Sequence, residues 1–317
     1  MTDLSTTYLG CQLKNPLIAA ASPLTDTTAS IQQLEAAGAG AVVIHSLLTE
    51  EVSLQNVTPP ATTAVSHKFI PNHPGAYLAF LTHLKQTVTI PTIANLSGRP
   101  QPDWPDYARQ LAETGVDALE INVAYVNTDP AVTGEDVEAE LITLAKNLKA
   151  AVDIPIAFKI SPYFSALSNV VTALERAGID GLVIFNRYFE PDFDIETKML
   201  TKDLELSQAE ELRLRLRWAA ILSRYLKNTD LAITGGVQTG EDVLKAIMTG
   251  AQAVMMASAL LTNGVNHITA VRDHLAELLT TLDMPNLQSV HGLMSQDKIR
   301  NPAAYERANY MRVLKSY

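Results

Sequence analysis

The sequence predicts an α/β fold, a closed (β/α)8 TIM barrel. Three observations predict it. Eight short apolar runs recur along the 317 residues. Longer stretches with helical spacing separate them. No shift in composition divides the chain, so residues 1–317 read as a single barrel domain.

The runs, in order, are PLIAAAS (16–22), AVVIHS (41–46), PTIANLS (91–97), ALEINVA (118–124), IAFKIS (156–161), GLVIFN (181–186), LAITGG (231–236) and AVMMAS (253–258). Most are rich in Val, Ile or Ala, as parallel strands covered on both faces are. Helical spacing appears at Ile31 and Leu34, at Tyr107 and Leu111, at Leu141, Leu144 and Leu148, and at Val170 and Leu174. The longest helical stretch is 208–227. Before four of the strands stand the related phrases EAAGAGAVVI, AETGVDALEI, ERAGIDGLVI and MTGAQAVMM. Each places Gly where a left-handed residue stops a helix, which suggests a repeated β/α unit. A doubly wound open sheet is the competing fold, but no GxGxxG follows the first run. The segment 47–90 is long for one connection and holds Pro59, Pro60, Pro71 and Pro74. It reads as a lid or binding loop.

Charged residues are 18% of the chain and the net charge is −10, which argues against nucleic acid or an anionic membrane as partner. A small anionic ligand held by local cations remains compatible. The one cysteine, Cys11, allows no disulfide and no multi-cysteine metal site within the chain. The first ten residues lack the basic and apolar regions of a signal peptide, and no apolar run is long enough to span a bilayer. A cytoplasmic location is expected. The seven histidines show no metal-ligand spacing, so no metal is expected. His45 ends a strand and can face a ligand. His67, His73, His83, His267, His274 and His291 read as surface or loop residues.

Barrel enzymes place their chemistry at the carboxyl ends of the strands. The runs end in a polar set: Ser22, His45, Ser46, Asn95, Asn122, Lys159, Ser161, Asn186, Gly235, Gly236, Ala257 and Ser258. Gly235, Gly236, Ala257 and Ser258 close the seventh and eighth runs, where phosphate sites are frequent. Lys159 lies between apolar neighbours, and an inward lysine must meet an anion or lose its proton. It can cap a flavin ring, form a Schiff base or pair with Glu120.

These pieces resemble one family. LSTTYLGCQLKNPLIAAAS, GAGAVVIHS, LEINVAYVN, AFKISPY, VIFN, ITGGVQTGEDVLKAIMTGA and VMMASALL occur in the order and spacing of the dihydroorotate dehydrogenases, nearest the soluble class 1 type. The resemblance implies a flavin mononucleotide (FMN) enzyme of pyrimidine biosynthesis, a small-molecule substrate and a possible homodimer. It implies that the backbone at Ala20, Ala21 and Ser22 lies against the flavin, with His45 and Ser46 nearby. Lys159 reaches the pyrimidine side of the ring and Asn122 touches it. Gly235, Gly236, Ala257 and Ser258 hold the phosphate. Asn72, Asn127 and Asn186 bind substrate. The chain departs from the family in three places. Tyr125 stands where the catalytic base, Cys or Ser, belongs. His45 replaces a family lysine. RYFEPDFDIETKMLTKDLELS replaces a Gly-rich stretch after the sixth strand. A flavin-binding but inactive regulatory or assembly homologue is the alternative, and a flavin-free aldolase acting through Lys159 is a third.

Overall fold

The computed structural model describes residues 2–48, 74–123, 126–201, 204–306 and 314–315. Eight parallel strands close into a ring. They are β1 (Leu17–Ala19), β2 (Ala41–Val43), β3 (Thr92–Gly98), β4 (Ala118–Val123), β5 (Ile156–Ile160), β6 (Gly181–Ile184), β7 (Asp230–Thr234) and β8 (Ala253–Met256). Each pairs with the next, and Val254 of β8 lies opposite Leu17 of β1. Closure leaves no open edge. The fold is the (β/α)8 barrel that the eight runs predict.

Several strands end earlier than the runs do, because the last residues turn toward the barrel mouth. Ala20 still donates to Met256 O at 2.9 Å, but Ser22 turns to cap Leu24 N at 3.4 Å. Gly235 and Gly236 leave β7 with φ of +87° and +81°.

Side chains alternate between two cores. Leu17, Val42, Leu119, Ile121, Ile156 and Phe158 face the helices. Ile18, Ala41, Val43, Ile93, Ala118, Ala157, Val183, Ala232, Ala253 and Met255 fill the interior. Alanine is frequent in the second set, which leaves room along the axis. The hairpin Thr6–Tyr8 and Cys11–Leu13 supplies that volume with buried Tyr8, Leu9 and Leu13. Its two-residue turn has φ +51° at Leu9 and +73° at Gly10, the handedness that suits a tight hairpin. Leu9 N donates to Asp230 Oδ2 at 2.7 Å, and a Cβ at Gly181 would lie 2.6 Å from Leu9 Cδ2. Asp230 and Gly181 begin their strands, so the hairpin plugs the amino end of the barrel. Glycine at 181 is what lets Leu9 enter.

Among the described residues a main helix follows each strand: α1 (Thr28–Ala36), α2 (Pro74–Lys85), α3 (Trp104–Glu113), α4 (Gly134–Ala151), α5 (Leu167–Arg176), α6 (Leu212–Leu222), α7 (Gly240–Met248) and α8 (His267–Thr281), the last preceded by a short helix over Ser258–Asn263. The same string, Thr-Gly-Glu-Asp, opens α4 and α7, and in both Thr and Asp form a reciprocal capping box. The segment 47–90 is not one long loop. Leu47–Leu48 pairs with β3, and α2 buries Tyr77, Leu81 and Leu84. The prolines hid this helix, although Pro74 sits at its first position, where proline is tolerated. Pro59, Pro60 and Pro71 lie outside the described residues, as do His67 and His73. His291 lies in a turn, as a loop residue should, and is partly buried. Its Nε2 lies 3.1 Å from Gly250 O, and burial lowers its pKa.

Tyr8 is 1% exposed and its hydroxyl has no hydrogen-bond partner among the described residues. An unpaired buried hydroxyl costs stability, whereas the ring fills volume. Tyr8→Phe should therefore hold or raise the urea midpoint, while Tyr8→Ala should cost about 3–5 kcal/mol. A midpoint lowered by Tyr8→Phe would show that the hydroxyl is bonded through water.

Candidate active site

A cavity of about 350 Å³ opens at the carboxyl ends of the strands. Ala20, Ala21, Ser22, His45, Lys159, Asn186, Gly235, Gly236, Ala257 and Ser258 all line it. Three other predicted site residues, Ser46, Asn122 and Asn127, do not. Asn122 reaches it through a relay: Asn186 Nδ2 donates to Asn122 Oδ1 at 2.7 Å, and Asn122 Nδ2 donates to Ser97 Oγ at 3.1 Å. Asn127 lines an adjoining cavity of about 340 Å³, with Val123, Ser161 and Tyr188. Tyr188 borders both cavities. Asn72 and Tyr125 lie outside the described residues. Cys11 sits in the hairpin at the opposite end, where burial pushes its thiol pKa up.

The floor of the site carries a buried charge pair. Lys159 is 9% exposed and Glu120 is fully buried. Lys159 Nζ lies 3.6 Å from Glu120 Oε1, so of the readings open to this lysine the ion pair is present. Asn95, beside Glu120 in the β3–β4 register, donates its Nδ2 to the same oxygen at 2.6 Å. The set is not saturated. Glu120 Oε2 and Asn95 Oδ1 have no partner, and Lys159 makes no hydrogen bond, among the described residues. An ammonium has three donors, and a buried one requires acceptors. Below the pair, burial first and then the charges of Glu120 and Asp230 hold the Tyr8 phenol well above its ordinary pKa. Tyr8 is a neutral plug. At the rim, His45 Nδ1 lies 3.1 Å from Asp26 Oδ1, and Tyr77 donates its hydroxyl to His45 O at 2.8 Å.

One wall is built of backbone. The N–H groups of Gly235, Gly236, Ala257 and Ser258 donate to no protein acceptor among the described residues. A Cβ on Gly236 would sit 2.6 Å from Leu212 N, so only glycine allows this close approach at positive φ. Ser258 Oγ is engaged by Ser207, whose N–H donates to it at 3.0 Å. Successive unpaired N–H groups in such a turn form an anion-binding concavity.

Sequence reasoning missed Arg187 and Arg215 on this wall. Arg215 is 5% exposed. It donates from Nε to Thr234 O at 2.5 Å, from Nη1 to Glu211 O at 2.8 Å and from Nη2 to Glu211 Oε2 at 3.1 Å. Arg187 Nη1 lies 3.7 Å from Glu211 Oε1. A signal existed. Leu212, Arg215, Ala219 and Leu222 are buried at helical spacing, so the α6 stripe itself marks 215 as an inward position. The alternating string LRLRLR obscures it. The cavity thus gathers Lys159, Arg187, Arg215 and unspent N–H groups within a chain of net charge −10. These groups give the wall of the cavity a positive, hydrogen-bond-donating character that suits an anion.

Among the described residues no helix is long and apolar enough to cross a membrane, and no three His, Cys, Asp or Glu side chains are grouped as a metal site. The family model for dihydroorotate dehydrogenase matches residues 3–279. A dihydroorotate dehydrogenase A (fumarate) of Lactobacillus delbrueckii is 29% identical over 227 residues, 69% of this chain and 71% of the relative. The catalytic subunit of a dihydroorotate dehydrogenase B (NAD(+)) from Methanocaldococcus jannaschii is 25% identical over 87% of this chain and 93% of its own. A dihydroorotate dehydrogenase A (fumarate) of Lactiplantibacillus plantarum is 27% identical over 93% and 99%.

Breaking a buried pair from one side leaves the other charge stranded. Lys159→Met should cost about 3–5 kcal/mol in urea unfolding, and adding Glu120→Gln should recover most of it. Equal losses in the single and double variants would mean that the two side chains are not coupled.

Proposed function

The chain belongs to the dihydroorotate dehydrogenase family, and on that premise we propose that it is an FMN-dependent oxidoreductase acting on a CH–CH bond, with dihydroorotate and orotate of pyrimidine biosynthesis as the substrate pair. One observation carries the reading: an unsatisfied ammonium, Lys159, shares a cavity with the unspent N–H groups of Gly235, Gly236, Ala257 and Ser258. The N–H groups suit a phosphate, and the ammonium suits the electron-rich edge of a flavin ring. When bound, FMN supplies a two-electron acceptor at N5.

The chain's own residues then divide the work. The backbone at Ala20, Ala21 and Ser22 forms one face of the ring site, flanked by His45 and Ser46. Lys159 holds positive charge where negative charge develops on reduction. Asn122 orients the ring and fixes Asn186 through their hydrogen bond. Asn186, Asn127 and Asn72 bind the substrate. Tyr125, in the position of the family's base, carries the proton at the substrate carbon. A phenol of ordinary pKa, about 10, is protonated at neutral pH, so it serves best as an acid in the reductive direction. The same premise implies one barrel domain acting as a cytoplasmic homodimer.

A second reading keeps the cofactor without the activity. Tyr125 in place of Cys or Ser, with His45 in place of lysine, favours a flavin-binding regulatory or assembly homologue. Anaerobic titration decides. The protein should take up FMN and turn yellow, and dihydroorotate should bleach it if the enzyme reading holds. Stable colour under dihydroorotate would support the inactive homologue, and failure to take up FMN would overturn both. In an active protein, Tyr125→Phe should slow substrate turnover by about 10²–10⁴-fold, the usual contribution of a general acid or base. Lys159→Ala should weaken flavin binding or reduction.

A further inference from the structure

The geometry points to Arg215 as a phosphate-selecting residue, a side chain that makes this cavity choose a phosphorylated flavin over its dephosphorylated form. The inference rests on the FMN reading above and adds a residue to it.

Three observations support it. First, the Arg215 guanidinium packs closely against the glycine turn. A Cβ on Gly235 would fall 2.7 Å from its Nη2 and 2.9 Å from its Nε. The turn that offers unpaired N–H groups is therefore packed against a cation. Second, the guanidinium is not spent. Arginine has five N–H donors, and three are used, on Thr234 O, Glu211 O and Glu211 Oε2. Two remain on a side chain that is 5% exposed and borders the cavity. Third, its charge is not cancelled. Glu211 is its one carboxylate partner among the described residues, and Arg187 shares that carboxylate at 3.7 Å. The other carboxylate near Arg187, Glu205, has a side chain 90% exposed. Two guanidiniums around one partly buried carboxylate leave an excess of positive charge beside Gly235 and Gly236. A phosphate dianion completes that set, and a neutral hydroxyl does not.

Glu211 then sets how strongly the site acts. It holds Arg215 in place and competes with the phosphate for its donors. The two residues should have opposite effects on selectivity.

The test is fluorescence titration of the full-length protein with FMN and with riboflavin. Arg215→Met should lower the ratio of FMN to riboflavin affinity by about 10- to 100-fold, the range of a hydrogen bond to a charged group, with riboflavin binding held near wild type. Arg215→Lys should lie between, because it keeps the charge and loses the fork. Glu211→Gln should raise the ratio. An unchanged ratio in Arg215→Met overturns the inference while FMN uptake by the wild type keeps the cofactor reading. If Arg215→Met does not fold cooperatively, Glu211→Gln decides alone: a ratio that stays level or falls overturns the inference. A wild type that binds neither flavin removes both readings.

Discussion

The mouth of this barrel is organised around one buried charge. Lys159 points inward at the end of β5, where an uncompensated ammonium would be costly, and Glu120 on β4 answers it at 3.6 Å. Asn95 on β3 then holds Glu120 at 2.6 Å. Three adjacent strands thus commit an interior position each to the pair, and the apolar filling of the barrel stops below it. Apolar side chains cannot close the space above, because the lysine still lacks acceptors. Burial of the charge and the existence of a cavity are two sides of one constraint.

That constraint explains how the two ends of the barrel differ. The amino end is filled by Tyr8, Leu9 and Leu13 against small interior residues such as Ala157 and Ala232. The carboxyl end is lined by amides, glycine turns and cations. The family likeness extends through both ends, since its model matches residues 3–279. Above the charge pair lie His45, paired with Asp26, and the segment that brings Ser207 to Ser258 and Arg187 to Glu211.

Most of the fold was legible in the sequence, because buried parallel strands write themselves as short continuous apolar runs. All eight runs became strands. The helix over Pro74–Lys85 was harder to read, since proline-rich flanks resemble loop and the apolar stripe of Tyr77, Leu81 and Leu84 lies beyond them. At the site, strand-end residues such as Lys159, Asn186 and Gly235 were legible, because position on a barrel strand dictates position at its mouth. Arg215 was not. It arrives from a helix, and whether a helical arginine points inward depends on a stripe that the repeated Leu-Arg string masks. Ser207 was illegible for a related reason, because its contact with Ser258 spans 51 residues and no local pattern encodes it.

The hairpin that plugs the amino end also bears on how the chain assembles during synthesis. Leu9 is bonded to Asp230, which is made 221 residues later. At ribosomal rates that separation is on the order of 10–45 s, during which Tyr8, Leu9 and Leu13 have no barrel to enter. The half-made protein therefore carries an apolar hairpin segment without its partners until the seventh strand emerges. Such a segment invites chaperones and, when they are scarce, self-association. The contact that plugs the finished barrel forms late, so loss of soluble protein on fast expression would be expected to begin there.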